Sequence, residues 1–171
     1  MGDILFICTG NYYRSRLAEI LFNHYAKQEG LSLRAYSKGL EAFIKRNTGP
    51  ISPHTLAYLD ALNIPWPEVV REPVQLKQED FGGYRALIFM DEAEHRPMVT
   101  HYFPEYTDKV HYWQVQDVQF RDPDDVLPEL ARKVSELVND LCSHYPQPSS
   151  ETGFISAITE NIDQVKHYQQ K

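Results

Sequence analysis

Apolar and polar positions switch between two periods along this chain, and the switches mark out its elements. Ile4-Leu5-Phe6-Ile7-Cys8 is a continuous apolar run, the pattern of a strand buried on both faces, and Gly10 breaks it. Over residues 15–26, Leu17, Ala18, Leu21, Phe22 and Tyr25 recur at helical spacing before Gly30 stops the pattern. Leu31, Leu33, Ala35 and Ser37 alternate as a second strand over residues 31–37. Residues 50–62 predict a loop and then a helix opening at Ser52-Pro53, with proline in the first helical position. Three prolines within residues 65–77 predict irregular chain. A third buried strand is predicted over 84–90, led in by Gly82-Gly83, then a helix over 91–101 that Pro97 weakens or restarts. A fourth strand is predicted over 109–113. Residues 127–142 read as a helix with Leu130, Val134, Leu137, Val138 and Leu141 on one stripe. Residues 146–150 read as a linker. Beyond it Phe154, Ile155, Ala157, Ile158, Ile162 and Val165 suit an amphipathic helix or a loose tail.

Strands alternating with helices predict an α/β fold, a three-layer sandwich around a four-stranded, mainly parallel sheet. A chain of 171 residues accommodates one such domain. It is expected over residues 1–145, with 146–171 as a C-terminal extension. Parallel sheets bind ligands beyond the carboxyl ends of their strands, which directs attention to the turn after the first strand.

Charge and cysteine usage narrow the chemistry. The net charge is −7, and Lys45-Arg46 is the strongest basic cluster, so nucleic acid is excluded as a partner on electrostatic grounds. No apolar run nears the roughly 20 residues of a membrane span, and the first one has no basic lead-in. A soluble, cytoplasmic protein without membrane contact is expected; the pattern says nothing of oligomeric state. The two cysteines, Cys8 and Cys142, form no CxxC pair, and a reducing compartment favours free thiols. Seven histidines are scattered without HExxH or Cys/His ligand spacing, so neither a metal nor another cofactor is expected. Cys142 falls on the apolar side of the last helix and is expected in the core.

Cys8-Thr9-Gly10-Asn11-Tyr12-Tyr13-Arg14-Ser15 places a cysteine, five residues, and then Arg-Ser at the start of a helix. A loop of that length curls so that successive N–H groups face one centre, an anion nest, to which the helix start adds its own unsatisfied N–H groups and dipole. Such a site favours phosphate and favours a thiolate at its centre. Arg14 can grip phosphate oxygens with a planar fork, and the Cys8 thiolate is then placed for in-line attack on phosphorus. Ser15 is placed to hydrogen-bond the sulfur. Spacing alone divides evenly between this reading and a buried strand cysteine. Placement between strand and helix, with Gly10 and Asn11 tolerant of positive φ, tips it toward catalysis. A GxxxxGK[ST] loop is absent.

These residues resemble the low-molecular-weight protein tyrosine phosphatase family, whose loop reads C-x-G-N-x-C-R-S after the first strand. Ser37-Lys38-Gly39-Leu40 is similar to the family's S-A-G-T, Met90-Asp91-Glu92 to its M-D-E, and Trp113-Gln114-Val115-Gln116-Asp117 to its W-D-x-P-D. The resemblance runs from residue 3 to about 144. It implies Cys8 as nucleophile, Arg14 as phosphate clamp and Asp117 as general acid. It further implies a phosphate loop of Thr9, Gly10, Asn11, Tyr12, Tyr13 and Ser15, with Ser37 in support and Phe43 as a wall for the substrate ring. The implied reaction is metal-free hydrolysis of an aryl phosphate, protein phosphotyrosine or a small ester, through a phosphocysteine. Four departures stand out. Tyr13 occupies the place of the second loop cysteine, Arg16 that of a proline, and the family arginine near Val74-Gln75-Leu76 is missing. The acid loop has its Asp-Pro pair at Asp122-Pro123, which makes Asp122 an alternative acid. Asp117 is preferred for its distance from Trp113, and Asp122-Pro123 suits a helix start, with Asp124-Asp125 expected to cap that helix. The competing functions are arsenate reduction with an external thiol, and a phosphate- or phosphopeptide-binding module without turnover.

Overall fold

The computed structural model describes residues 2–144, 155 and 157–162. Four parallel strands form one sheet in the order β2-β1-β3-β4. They are β1 (Ile4–Cys8), β2 (Ala35–Gly39), β3 (Ala86–Phe89) and β4 (His111–Tyr112), joined through helices α1 (Arg14–Gln28), α2 (Pro53–Ala61), α3 (Asp80–Gly83) and α4 (Glu92–Tyr102), with α5 (Pro123–His144) last. Central β1 is buried at every position, and its alternate side chains feed two cores. Ile4, Phe6 and Cys8 meet Leu17, Leu21 and Phe22 of α1 and the apolar stripe of α5. Leu5 and Ile7 meet Leu87, Phe89, Val99 and Tyr112 on the opposite face. This is the expected three-layer α/β sandwich.

The differences from the sequence expectation are local. β2 begins at Ala35, not at residue 31. Leu31 and Leu33 are buried, but in the connection from α1, so their alternation reports burial rather than pairing. The third and fourth strands are shorter than predicted. Pro97 sits in the middle of α4 without ending it; lacking an N–H, it forgoes the one ladder bond that would reach Ala93 O. α5 starts at Pro123, four residues before the apolar stripe becomes visible. Asp122 caps it by accepting from the Asp124 N–H at 2.9 Å, just as Ser52 caps α2 ahead of Pro53. Asp124 and Asp125 are therefore first-turn residues that suit the helix dipole, not the cap.

The linker expected at 146–150, and Phe154 and Val165 of the tail stripe, lie outside the described residues. Ala157, Ile158 and Ile162 are buried in the same cluster as α5, and Asn161 donates to Asp140 at 3.3 Å. No helix among the described residues is long and apolar enough to cross a membrane.

Lys133, on α5, has a fully buried side chain whose Nζ finds no hydrogen-bond partner among the described residues. The nearest carboxylate oxygen, on Glu129, is 3.7 Å away. Burial pushes its ammonium down from 10.5 to about 8. The folded protein then binds fewer protons than the unfolded chain between those values, so stability rises with pH across that window. At pH 7 the buried charge is a cost of roughly 1–3 kcal/mol. Lys133→Met is expected to raise the denaturant midpoint at pH 7 and to flatten the rise in stability from pH 8 to 10.5. A lower midpoint than that of the unsubstituted protein would mean the ammonium is a net stabiliser.

Candidate active site

The turn between β1 and α1 wraps around Cys8. The carbonyls at its two ends are engaged by donors elsewhere: Cys8 O takes the Leu40 N–H (3.0 Å), Thr9 O that of Glu41 (2.8 Å) and Tyr12 O that of Ser52 (2.9 Å). Tyr13 O accepts from the Thr55 hydroxyl at 3.1 Å. The N–H groups of residues 10–13 have no acceptor among the described residues. A turn with the carbonyls of its two ends engaged outside and its N–H groups free is the nest that an anion fills.

Two local devices shape it. Asn11 adopts φ 52°, a left-handed conformation that asparagine tolerates better than most residues. Gly39, at the end of β2, lies so close that a Cβ there would come within 2.8 Å of Asn11 N and Thr9 O. The loop backbone rests directly on that glycine, which explains its place in the Ser-x-Gly run.

Side chains lock the shape. Asn11 donates to Ser15 Oγ (3.0 Å) and to Ser37 Oγ (2.9 Å), while its carbonyl oxygen accepts from Val74 N–H (2.9 Å) and Arg71 (3.1 Å). Ser37 in turn donates to Glu19 at 2.5 Å. Cys8 Sγ lies 2.9 Å from Ser15 Oγ. The structure thus brings Cys8, Asn11, Ser15 and Ser37 into one network.

Arg14, buried at the start of α1, faces α4 and the loop after β4. Its Nη1 donates to Glu94 Oε2 and to Val115 O, both at 2.8 Å. Nη2 donates to Glu94 Oε1 at 3.1 Å and lies 3.6 Å from Asp117 Oδ2. Nε is buried without a partner. Burial works against the Arg14 charge, but the bond to Glu94 and the nearby charges of Cys8, Glu94 and Asp117 outweigh it and hold the guanidinium above its ordinary value. Over the loop opens a cleft of about 690 Å3, lined by Thr9, Gly10, Glu94, Asp117, Glu41 and Glu72 among others. Asp117 is on its wall. Asp122 is spent on the α5 cap.

A cysteine cradled by free N–H groups, with a buried guanidinium offering an unfilled donor, sets the frame for comparison with known proteins. Residues 3–150 match the family described as low molecular weight phosphotyrosine protein phosphatase. The chain belongs to that family. It is 33% identical over 108 residues to the protein-arginine-phosphatase of Bacillus subtilis (strain 168), a stretch covering 63% of this chain and 67% of that protein. It is similar to the solved YwlE arginine phosphatase in a mutant form with a phosphorylated active-site serine, at 26% identity and TM-score 0.69 over 84% of this chain and 98% of the other. A low molecular weight protein tyrosine phosphatase from Bacillus subtilis aligns at 27% identity and TM-score 0.67, over 82% and 97%.

Within this low-molecular-weight phosphatase fold the departures acquire physical reasons. Near residues 74–76, where the arginine of the family pattern is missing, Arg71 reaches into the loop network and donates to Asn11 Oδ1 at 3.1 Å. Its Nη2 donates to Glu19 (2.7 Å), Ser37 O (3.0 Å) and Ser37 Oγ (2.9 Å), and its guanidinium sits over the Tyr36 ring at 4.2 Å. It enters the network from an irregular stretch, where no periodicity marks it. The only available cue was an Arg three residues before Val74 in a proline-bounded segment. Arg16 turns away from the cleft and donates to Pro50 O (3.0 Å) and Arg71 O (3.1 Å); burial and the charge of Arg71 push it down to about 10. Tyr13 packs beneath the loop in the core, and burial pushes its hydroxyl up to about 12. Tyr12 reaches outward to Thr48 O at 2.9 Å. Phe43 is 59% exposed beside cleft-lining Ala42, and Phe120, which the sequence reading passed over, is 68% exposed next to cleft-lining Gln119. Cys142, expected in the core, is only partly buried and packs against its edge. No group of three or more metal-ligating side chains gathers among the described residues.

Proposed function

We propose that the protein is a cysteine-dependent protein phosphatase working through a phosphocysteine. The observation that carries this reading is the conjunction at the loop: free N–H groups around Cys8 and a buried, unpartnered Arg14 Nε. In the first step the Cys8 thiolate attacks phosphorus in line, the bond from phosphorus to the leaving atom breaks, and Asp117 hands that atom a proton. Loop N–H groups and Arg14 bear the charge on the three equatorial oxygens, and Ser15, 2.9 Å from the sulfur, assists sulfur's departure. Water, deprotonated by Asp117, then attacks the phosphocysteine and breaks the S–P bond, which releases orthophosphate and restores the thiolate. The related arginine phosphatase with a phosphorylated active-site serine supports a covalent phosphoenzyme.

Two leaving groups compete. Exposed Phe43 and Phe120 suit the ring of phosphotyrosine. The cleft lining mixes charges: Glu41 pairs with Arg46 at 3.1 Å, Glu94 is held by Arg14, and Lys45 lies on the same wall. Glu72 and Asp117 remain as lining carboxylates that a guanidinium beyond phosphorus can meet, and this pair favours phosphoarginine. The 33% identity to a protein-arginine-phosphatase points the same way. We therefore favour phosphoarginine in protein as the substrate.

Metal-free, vanadate-sensitive phosphate release from matched phosphoarginyl and phosphotyrosyl peptides tests this choice. The phosphoarginyl peptide is expected to have the higher kcat/KM, by about tenfold or more, the scale of one charge-complementary contact of 1–2 kcal/mol. The opposite order establishes the aryl reading. Release from neither transfers the weight to arsenate reduction or to phosphate binding without turnover.

A further inference from the structure

The geometry points to Glu94 as the positioning residue that fixes which edge of Arg14 faces the substrate phosphate, an inference that rests on reading Arg14 as the phosphate clamp. A guanidinium has two bidentate edges: the end edge of Nη1 and Nη2, and the side edge of Nε and Nη2. Glu94 occupies the end edge with both carboxylate oxygens, at 2.8 and 3.1 Å. Val115 O takes the second proton of Nη1 at 2.8 Å. The side edge remains, with Nε buried and unpartnered and one Nη2 proton without a hydrogen bond, the Asp117 carboxylate standing off at 3.6 Å. Two phosphate oxygens fit that edge.

Glu94 is itself held with little freedom. It sits in the first turn of α4, where its own N–H is capped by Asp91 at 3.2 Å and the helix dipole favours a carboxylate. The Thr9 hydroxyl donates to Oε1 at 2.5 Å, and His95 Nε2 approaches the same oxygen at 3.4 Å. His95 Nδ1 accepts the Asp91 N–H at 3.0 Å, so the ring proton lies on Nε2, facing Thr9 and Glu94. Burial holds His95 below its ordinary value, in keeping with that neutral form. For Glu94, burial opposes ionisation, but the bonds from His95 and Arg14 outweigh it and hold the carboxyl well below the usual range. One carboxylate thereby ties both ends of the loop, Thr9 and Arg14, to α4.

A bare counter-charge makes the opposite prediction from a positioning residue. If Glu94 only offsets the charge of Arg14, removing its charge strengthens anion binding, and moving it back by one methylene changes little. If it sets the edge, both changes misalign Arg14, and the loss is greatest where geometry matters most. Glu94→Gln and Glu94→Asp are therefore compared with the unsubstituted protein for kcat, KM, and affinity for orthophosphate and for vanadate, a trigonal-bipyramidal mimic of the transition state. Both variants are expected to lose about 10- to 100-fold in kcat, the scale of one or two charge-assisted hydrogen bonds. Vanadate affinity should fall in parallel, while KM and phosphate affinity change less than about threefold. Tighter anion binding by Glu94→Gln, or near-normal kcat in Glu94→Asp, overturns the inference. Should Glu94→Gln fail to fold, Glu94→Asp alone decides, since it keeps the charge and shortens the reach. If the unsubstituted protein binds neither phosphate nor vanadate, the clamp reading itself falls and takes this inference with it. Normal binding with unaffected variants removes only the role of Glu94.

Discussion

Cys8→Ser is expected to lower turnover by about four orders of magnitude or more while leaving phosphate binding within a few-fold. The scale follows from removal of a nucleophile in a unit whose members act together, and the structure gives a local reason for expecting the full loss. A serine becomes a competent nucleophile when an adjacent base takes its proton. The group in contact with the Cys8 sulfur is the Ser15 hydroxyl at 2.9 Å, which cannot serve as that base. The nest, meanwhile, is built from backbone N–H groups in a loop whose end carbonyls are anchored outside it, and Arg14 is held by Glu94 and Val115. None of these depends on the sulfur, so the anion site survives the substitution. Single-turnover kinetics, with calorimetric titration of orthophosphate into both proteins, separates the two effects. A serine variant that keeps more than about 1% of turnover would place the nucleophile elsewhere. One that loses phosphate binding as well would make Cys8 part of the binding surface rather than the attacking group.

That dissection is possible because the loop was legible in the chain before its shape was known. A doubly buried apolar run followed by a break and a helical stripe identifies a strand–turn–helix, and chemistry at such a turn depends on neighbours in sequence. Cys8, Asn11, Arg14 and Ser15 fall within one such turn. Residues that act across the fold left little or no trace. Arg71 comes from a stretch without secondary structure, and it is defined by what it touches: Asn11, Glu19 and Ser37. Glu94 looks in sequence like an ordinary acidic residue early in a helix, a common occurrence for dipole reasons alone. Its pairing with Arg14, 80 residues away, is created by the β1–β3 neighbourhood in the sheet. The strand ends were misjudged for a related reason. Alternation reports burial, and Leu31 and Leu33 are buried without belonging to the ladder.

The general acid is the second place where a large effect is expected, and the two candidate aspartates separate cleanly in space. Asp117 lies on the wall of the cleft, 3.6 Å from Arg14 Nη2. Its loop is drawn tight by the Val118 N–H on Oδ1 at 2.9 Å and by the Phe120 and Arg121 N–H groups on its carbonyl. Its Oδ2 faces Arg14 and accepts a long bond from the Gln119 amide at 3.5 Å. Asp122 accepts the Asp124 N–H at the start of α5. Asp117→Asn is therefore expected to lower kcat by about 10²- to 10⁴-fold, the usual worth of a positioned proton donor. Asparagine caps helices about as well as aspartate, so Asp122→Asn should alter kcat by less than about twofold and leave the thermal midpoint nearly unchanged. The leaving group sharpens the comparison. A substrate whose leaving group departs as a stable anion needs little protonation, so the Asp117→Asn defect should shrink on an activated aryl phosphate and widen on a poor leaving group. Measured side by side on both kinds of substrate, a defect independent of the leaving group would strip Asp117 of the acid role. A larger loss in Asp122→Asn would transfer that role to the Asp-Pro pair and require the start of α5 to unwind when substrate binds.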